Sequence, residues 1–197
     1  LPLQWTVVLR SSVVLLLVGT AAVFVLESPV ERNRWGRKVE YEDVAVRMDQ
    51  SFLRYNSWPM RLCDSMFQSV SARTAGFNTV DTSAGGLRPV TLVVLITLMI
   101  IGGSPASTAG GIKTITFALL LTGVVSTLRQ RSNIEMFYRR IDQSLIQRAM
   151  TLAVLFVGLV WVTSIVLLIT QPQMDYLELL FESASACGTV GYSTGIT

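Results

Sequence analysis

The chain contains no histidine, and charged residues fill only 15% of its 197 positions. Each shortage closes off a class of function. Without imidazole there is no histidine general base, no Ser-His triad and none of the commonest zinc ligand sets. Soluble domains carry roughly 25% charge. A chain this poor in charge, 51% hydrophobic and with a mean hydropathy of +0.52, belongs in lipid rather than among ordinary soluble enzymes. The net charge of +3, from 16 basic and 13 acidic residues, is too mild and too scattered for a nucleic-acid partner. Only two cysteines are present, Cys63 and Cys187, far apart and without a CxxC pairing, so a metal or redox motif is not expected. Both are expected to be unpaired, buried thiols.

What the chain does have is long apolar runs. Leu3 to Leu26 and Met150 to Ile169 are each long enough for the roughly 20 residues of helix that a bilayer core requires. Leu87 to Ile101 and Ile112 to Leu128 are shorter, and "GGSPASTAGG", Gly102 to Gly111, separates them. Four glycines and one proline in ten residues cannot continue an unbroken helix. The two halves read as one broken transmembrane helix. Non-helical backbone at membrane depth is tolerated only where it is buried in protein or lines a cavity, so the break points to a pathway. Residues 129–148 carry five arginines against two acids and are placed in the cytoplasm by the positive-inside rule. The turn at 170–175 then lies outside, as does the 27–60 loop, whose six acids and six bases cancel; Arg10 lies on the cytoplasmic side.

Two further stretches, Arg61 to Ala72 and Tyr176 to Ala186, have helical periodicity but are too short to cross a membrane. Each runs into a strip rich in turn formers. The two units match: "MFQSVSARTAGFNT" (66–79) against "LFESASACGTVGYST" (180–194), at a period of about 115 residues. Phe67 pairs with Phe181, Ser69 with Ser183, Ser71 with Ser185 and Ala72 with Ala186; after one inserted residue, Thr74-Ala75-Gly76-Phe77 pairs with Thr189-Val190-Gly191-Tyr192. Motif and position in the hydropathy profile repeat together, which marks an internal duplication. The chain opens on Leu and stops inside the second unit, so it is expected to be part of a longer polypeptide.

"TVGY" is four of the five residues of the potassium-filter signature TVGYG. A potassium ion must exchange its hydration shell for several oxygens at fixed separation, and backbone carbonyls supply them without charge. Aiming successive carbonyls at one axis requires unusual backbone angles, which glycine reaches without Cβ strain. The expected ion-binding residues are therefore Thr74, Ala75, Gly76 and Phe77 with Thr189, Val190, Gly191 and Tyr192. The two aromatics are expected to pack behind the strips. Each short helix ends at its strip, so about half an elementary negative charge faces the ion. Arg73 is expected to pair with Asp64 or Glu182, and Glu178, Glu182 and Asp81 to be solvated acids.

These residues resemble the Ktr/Trk/HKT superfamily of potassium transporters, most closely the bacterial Ktr-type membrane subunit. The likeness rests on "FQSVSARTAGFNTVD" (67–81), "GGSPASTAGGIKT" (102–114) and "GTVGYS" (188–193), and it covers nearly the whole chain. It implies an all-α membrane protein with repeated span, pore helix, filter loop and span units around a pseudo-four-fold cation pore. Residues 1–128 would be the third repeat, 129–148 a cytoplasmic loop, and 149–197 most of the fourth repeat. The first two repeats and the last inner helix would lie outside this sequence. The resemblance also implies that the broken helix forms an intramembrane gate loop under the filter, here Gly102, Gly103, Ser104, Ser107, Thr108, Gly110 and Gly111, with Lys113 just beyond it. It implies K+ as the transported ion held by filter carbonyls, and no other cofactor. Membrane lipid, a second copy of the subunit and a cytoplasmic nucleotide-binding regulatory subunit are its implied partners. The implied location is the bacterial inner (plasma) membrane, crossed several times.

Two alternatives differ in kind: a sodium-permeable relative, and a non-conducting membrane scaffold whose strips are structural turns. In the plant branch a serine replacing a filter glycine marks sodium preference, whereas both glycines are present here. An enzyme reading fails on "GGIKT", because the phosphate-binding loop GxxxxGK[ST] needs glycine directly before lysine and Ile112 holds that place.

Overall fold

The structure, a computed structural model, describes residues 3–27, 57–77, 87–104, 109–130, 135–136, 139–140 and 142–195. Six helices account for most of them: α1 Leu3–Leu26, α2 Trp58–Ser71, α3 Pro89–Ile100, α4 Thr114–Leu128, α5 Gln143–Thr170 and α6 Tyr176–Cys187. The fold is all-α apart from one two-residue ladder among the described residues. Between α4 and α5, β1 (Glu135–Met136) pairs antiparallel with β2 (Arg139–Arg140), Glu135 opposite Arg140. This ladder lies in the arginine-rich segment.

α1 and α5 are long and apolar enough to cross a membrane. They start and stop for local reasons. Asp142 caps α5 by accepting from the Ser144 amide at 3.3 Å and the Ser144 hydroxyl at 2.7 Å. Pro59 and Pro89 open α2 and α3, where a missing N–H costs nothing. α3 stops at Ile100 because two glycines follow.

α1 packs on α2, α3 and α4; α6 packs on α5 and α3; and α4 packs on α5. Small residues allow the closest crossings. A Cβ on Gly19 of α1 would collide with Ser69 Oγ of α2 and lie 2.9 Å from Leu98 Cδ1 of α3. Gly123 of α4 lets Ile146 of α5 approach in the same way. The core runs from Val23 through Leu95, Leu98 and Met99 to Phe181, Ala184, Val190 and Tyr192, so it joins both repeat units. At one end, buried Glu27 accepts from the Arg88 amide at 3.0 Å and from the Thr91 hydroxyl at 2.5 Å, while Arg61 donates to the Glu27 carbonyl at 3.2 Å. That cluster ties α1, α2 and α3 together. Cys63 is exposed and Cys187 half-buried, both as free thiols, so neither is sealed in the core as expected. The 27–60 loop lies outside the described residues beyond its ends.

Candidate functional site

Both strips leave their short helices by an amide bonded to the equivalent serine carbonyl, and the first strip adds a second such bond. In the first, the Ala75 and Gly76 amides donate to Ser71 O at 3.1 and 3.2 Å; in the second, the Val190 amide donates to Ser185 O at 2.9 Å. Ser71 Oγ donates to Phe77 O at 2.6 Å, and Ser185 Oγ donates to Tyr192 O at 2.6 Å. The backbone angles match as well. Thr74 and Gly76 have φ of 81° and 72°; Thr189 and Gly191 have 53° and 90°. Ala75 and Val190, between them, do not take positive φ. Positive φ thus recurs at every second residue of each strip. For a β-branched threonine this conformation costs about 1–3 kcal/mol, a strain that collects at functional sites.

The strips meet at their glycines. A Cβ on Gly76 would strike the Val190 carbonyl oxygen and lie 3.3 Å from Gly191 Cα, and a Cβ on Gly191 would lie 3.8 Å from Gly76 Cα. Two glycines about 115 residues apart in sequence are thus neighbours in space. Among the described residues no three acidic or thiol side chains gather as a metal site would need.

Several expected roles change. The Phe77 and Tyr192 carbonyls, expected as ion ligands, each accept a hydrogen bond from a serine hydroxyl, Ser71 and Ser185. Tyr192 is 2% exposed and stacked on Phe181 at 6.3 Å, whereas Phe77 is 70% exposed and packs behind nothing described. Arg73 forms no ion pair with Asp64 or Glu182; its guanidinium donates to Ser12 O of α1 at 3.3 Å. Nor is Glu182 a solvated acid. Its Oε1 accepts from Ser193 Oγ (2.7 Å), the Thr194 amide (2.7 Å) and Thr194 Oγ1 (3.1 Å). Asp81 lies outside the described residues.

The break between α3 and α4 doubles back on itself. The Ile112 amide donates to Ile100 O at 2.9 Å and the Thr114 amide to Gly103 O at 3.2 Å. Gly102 and Gly110 cross so closely that a Cβ on Gly102 would strike the Gly110 carbonyl. Lys113 folds back to donate to Ala109 O. The Gly110 amide reaches the second strip, donating to Thr189 Oγ1 at 2.8 Å. Gly103 and Ser104 are half-buried beside this crossing, while Ser107 and Thr108 lie outside the described residues.

Sequence reasoning missed Gln68, the acceptor of the Tyr192 hydroxyl at 2.7 Å, and the Glu27 cluster. The roles of Ser71 and Ser185 were missed too, although their recurrence in both copies of the motif was a usable signal. No pattern marked Gln68, because its partner lies 124 residues away.

Long apolar helices beside short helices that end in paired, strained strips, with a broken helix held against one of them, define the fold. The comparisons give the family. The TrkH family model, described as a cation transport protein, matches residues 1–197, and the chain belongs to this family. It is 41% identical over 137 residues to Ktr system potassium uptake protein B of Bacillus subtilis, a match spanning 70% of this chain and 30% of that protein. It is 38% identical over 144 residues to potassium/sodium uptake protein NtpJ of Enterococcus hirae, spanning 70% of this chain and 31% of that one. The chain thus aligns with about a third of the length of these relatives. The crystal structure of the potassium transporter TrkH from Vibrio parahaemolyticus shares the fold, with a TM-score of 0.66 and 19% identity over 98% of this chain and 39% of that one.

Proposed function

We propose that the complete protein takes up potassium across the bacterial inner membrane, spanning it several times, through a filter to which this chain contributes two of four strips. The observation that carries the reading is the pair of bonds the two strips share, the Ala75 and Val190 amides to Ser71 O and Ser185 O and the Ser71 and Ser185 hydroxyls to Phe77 O and Tyr192 O, with Gly76 and Gly191 in contact. The ligands are the carbonyls of Thr74, Ala75, Gly76, Thr189, Val190 and Gly191. Phe77 and Tyr192 serve as the points where each strip is anchored to its serine. Such carbonyls replace the hydration shell without adding charge, so the ion can leave as well as enter. The C-termini of α2 and α6 bring partial negative charge to the same place.

In this reading residues 1–128 and 149–197 are pore repeats, and 129–148 is the cytoplasmic loop between them. Its arginines offer a docking surface for a nucleotide-binding regulatory subunit, and the complete protein pairs with a second copy. The broken helix at Gly102 to Gly111 is the gate, and the bond from the Gly110 amide to Thr189 Oγ1 is its closed-state contact with the filter. A second reading, sodium permeation, is favoured by the relative named for both ions. The deciding experiment is Gly191→Ser in the full-length protein, expressed in cells deficient in potassium uptake. Sodium permeation should rise relative to potassium. Unchanged selectivity at wild-type abundance would refute the filter assignment.

A further inference from the structure

A fully buried glutamine on α2 reaches across the repeat boundary. Gln68 has no exposed surface, and its Oε1 accepts the Tyr192 hydroxyl at 2.7 Å. Glutamine is mostly a surface residue, and burying its amide is unfavourable unless it is hydrogen-bonded; here Oε1 is bonded, while Nε2 is buried with no partner among the described residues. The duplication shows how particular this contact is. Gln68 occupies the position equivalent to Glu182, whose bonds among the described residues are to Ser193 and Thr194, just past the strip of its own repeat. Tyr192 occupies the position equivalent to Phe77, which has no hydroxyl to offer. The strut is therefore one-sided: the second strip is tied to the first repeat's helix, and no counterpart can form in the other direction between these two units.

Tyr192 is held at three points. Ser185 binds its carbonyl, Phe181 stacks on its ring, and Gln68 holds its hydroxyl. The first two belong to its own repeat and set the strip's shape. The third ties the strip to the first repeat's short helix, where the Ser71 side chain also lies near the hydroxyl, and it adds to the bond from the Gly110 amide to Thr189 Oγ1; the carbonyl two residues before Tyr192, Val190 O, is the one that abuts Gly76. We infer that Gln68 is a positioning residue for ion selectivity, acting through Tyr192 to fix the spacing between the two strips. This rests on the filter reading above.

The test compares potassium and sodium uptake by the full-length protein for wild type, Tyr192→Phe, Gln68→Met and the double variant, with membrane abundance measured for each. Tyr192→Phe keeps the ring and its stacking, so it reports on the strut even where Gln68→Met folds poorly. Each single variant should lower the potassium-over-sodium preference about three- to tenfold, the scale of one buried hydrogen bond. The double variant should be no worse than the stronger single, because both remove the same contact. A purely structural role would lower the amount of protein and the maximal rate while leaving the ion preference unchanged. Unchanged preference in Tyr192→Phe, or additive losses in the double variant, would overturn the inference. Gly191→Ser run alongside separates the two claims. If it shifts preference while the strut variants do not, the strut fails and the filter stands; if it too has no effect, both fall.

Discussion

Replacing each strip glycine by alanine should give unequal results, although the two positions are equivalent in sequence. Gly76 and Gly191 both sit at positive φ, 72° and 90°. Alanine in a left-handed conformation costs about 1–2 kcal/mol at either site. At Gly191 that is nearly the whole effect, since the nearest atom a Cβ would meet is Gly76 Cα at 3.8 Å. At Gly76 the new methyl would occupy the space of the Val190 carbonyl oxygen. That carbonyl cannot swing aside freely. The Val190 amide is bound to Ser185 O at 2.9 Å, and the Tyr192 carbonyl two residues on is bound to Ser185 Oγ at 2.6 Å. Overpacking of this kind adds about 1–3 kcal/mol, for a total of about 2–5 kcal/mol at Gly76. The measurement is the initial potassium uptake rate per membrane-inserted molecule of the full-length protein in uptake-deficient cells. Gly191→Ala should retain measurable uptake, and Gly76→Ala should lose it at comparable abundance. Equal behaviour of the two variants would refute the proposed contact between Gly76 and the Val190 carbonyl.

If the proposed gate reading holds, deleting residues 104–109 should raise uptake; normal or lower uptake in a correctly folded variant would mean that the break is only a packing kink. Gly19→Val should destabilise the protein by about 1–3 kcal/mol through overpacking against Ser69 and Leu98, read as a lower thermal midpoint in detergent, and an unchanged midpoint would contradict the α1–α2 crossing. The Asp142 carboxyl is held below its ordinary range chiefly by the Ser144 hydroxyl and then by the Ser144 amide. A depressed folded-state pKa means the cap stabilises above the ordinary carboxylate pKa and loses that contribution as pH falls through the depressed value. The midpoint difference between wild type and Asp142→Ala should therefore be steady near neutral pH and shrink in acid; a difference independent of pH would argue against the cap.

The long apolar helices and the short helices were legible in the residues because each depends on neighbours along the chain. Hydrophobic runs set helix length, proline and glycine set the ends, and a repeated motif needs no third dimension to be seen. Leu3–Leu26 is the same helix by either route, and α6 differs from its expected end by one residue. Glycines at the strips were legible for the same reason, since a left-handed turn is a local demand. What only the tertiary structure decided concerns partners remote in sequence. Arg73 binds α1 rather than an acid, the Phe77 and Tyr192 carbonyls accept from serines, Gly110 reaches Thr189, and Gln68 reaches Tyr192. A hydrogen bond needs two groups within about 3 Å at a defined angle, and residues separated by 61, 79 or 124 positions meet that condition only through how the helices between them pack. Composition and spacing name the groups able to bond, while packing selects which of them do.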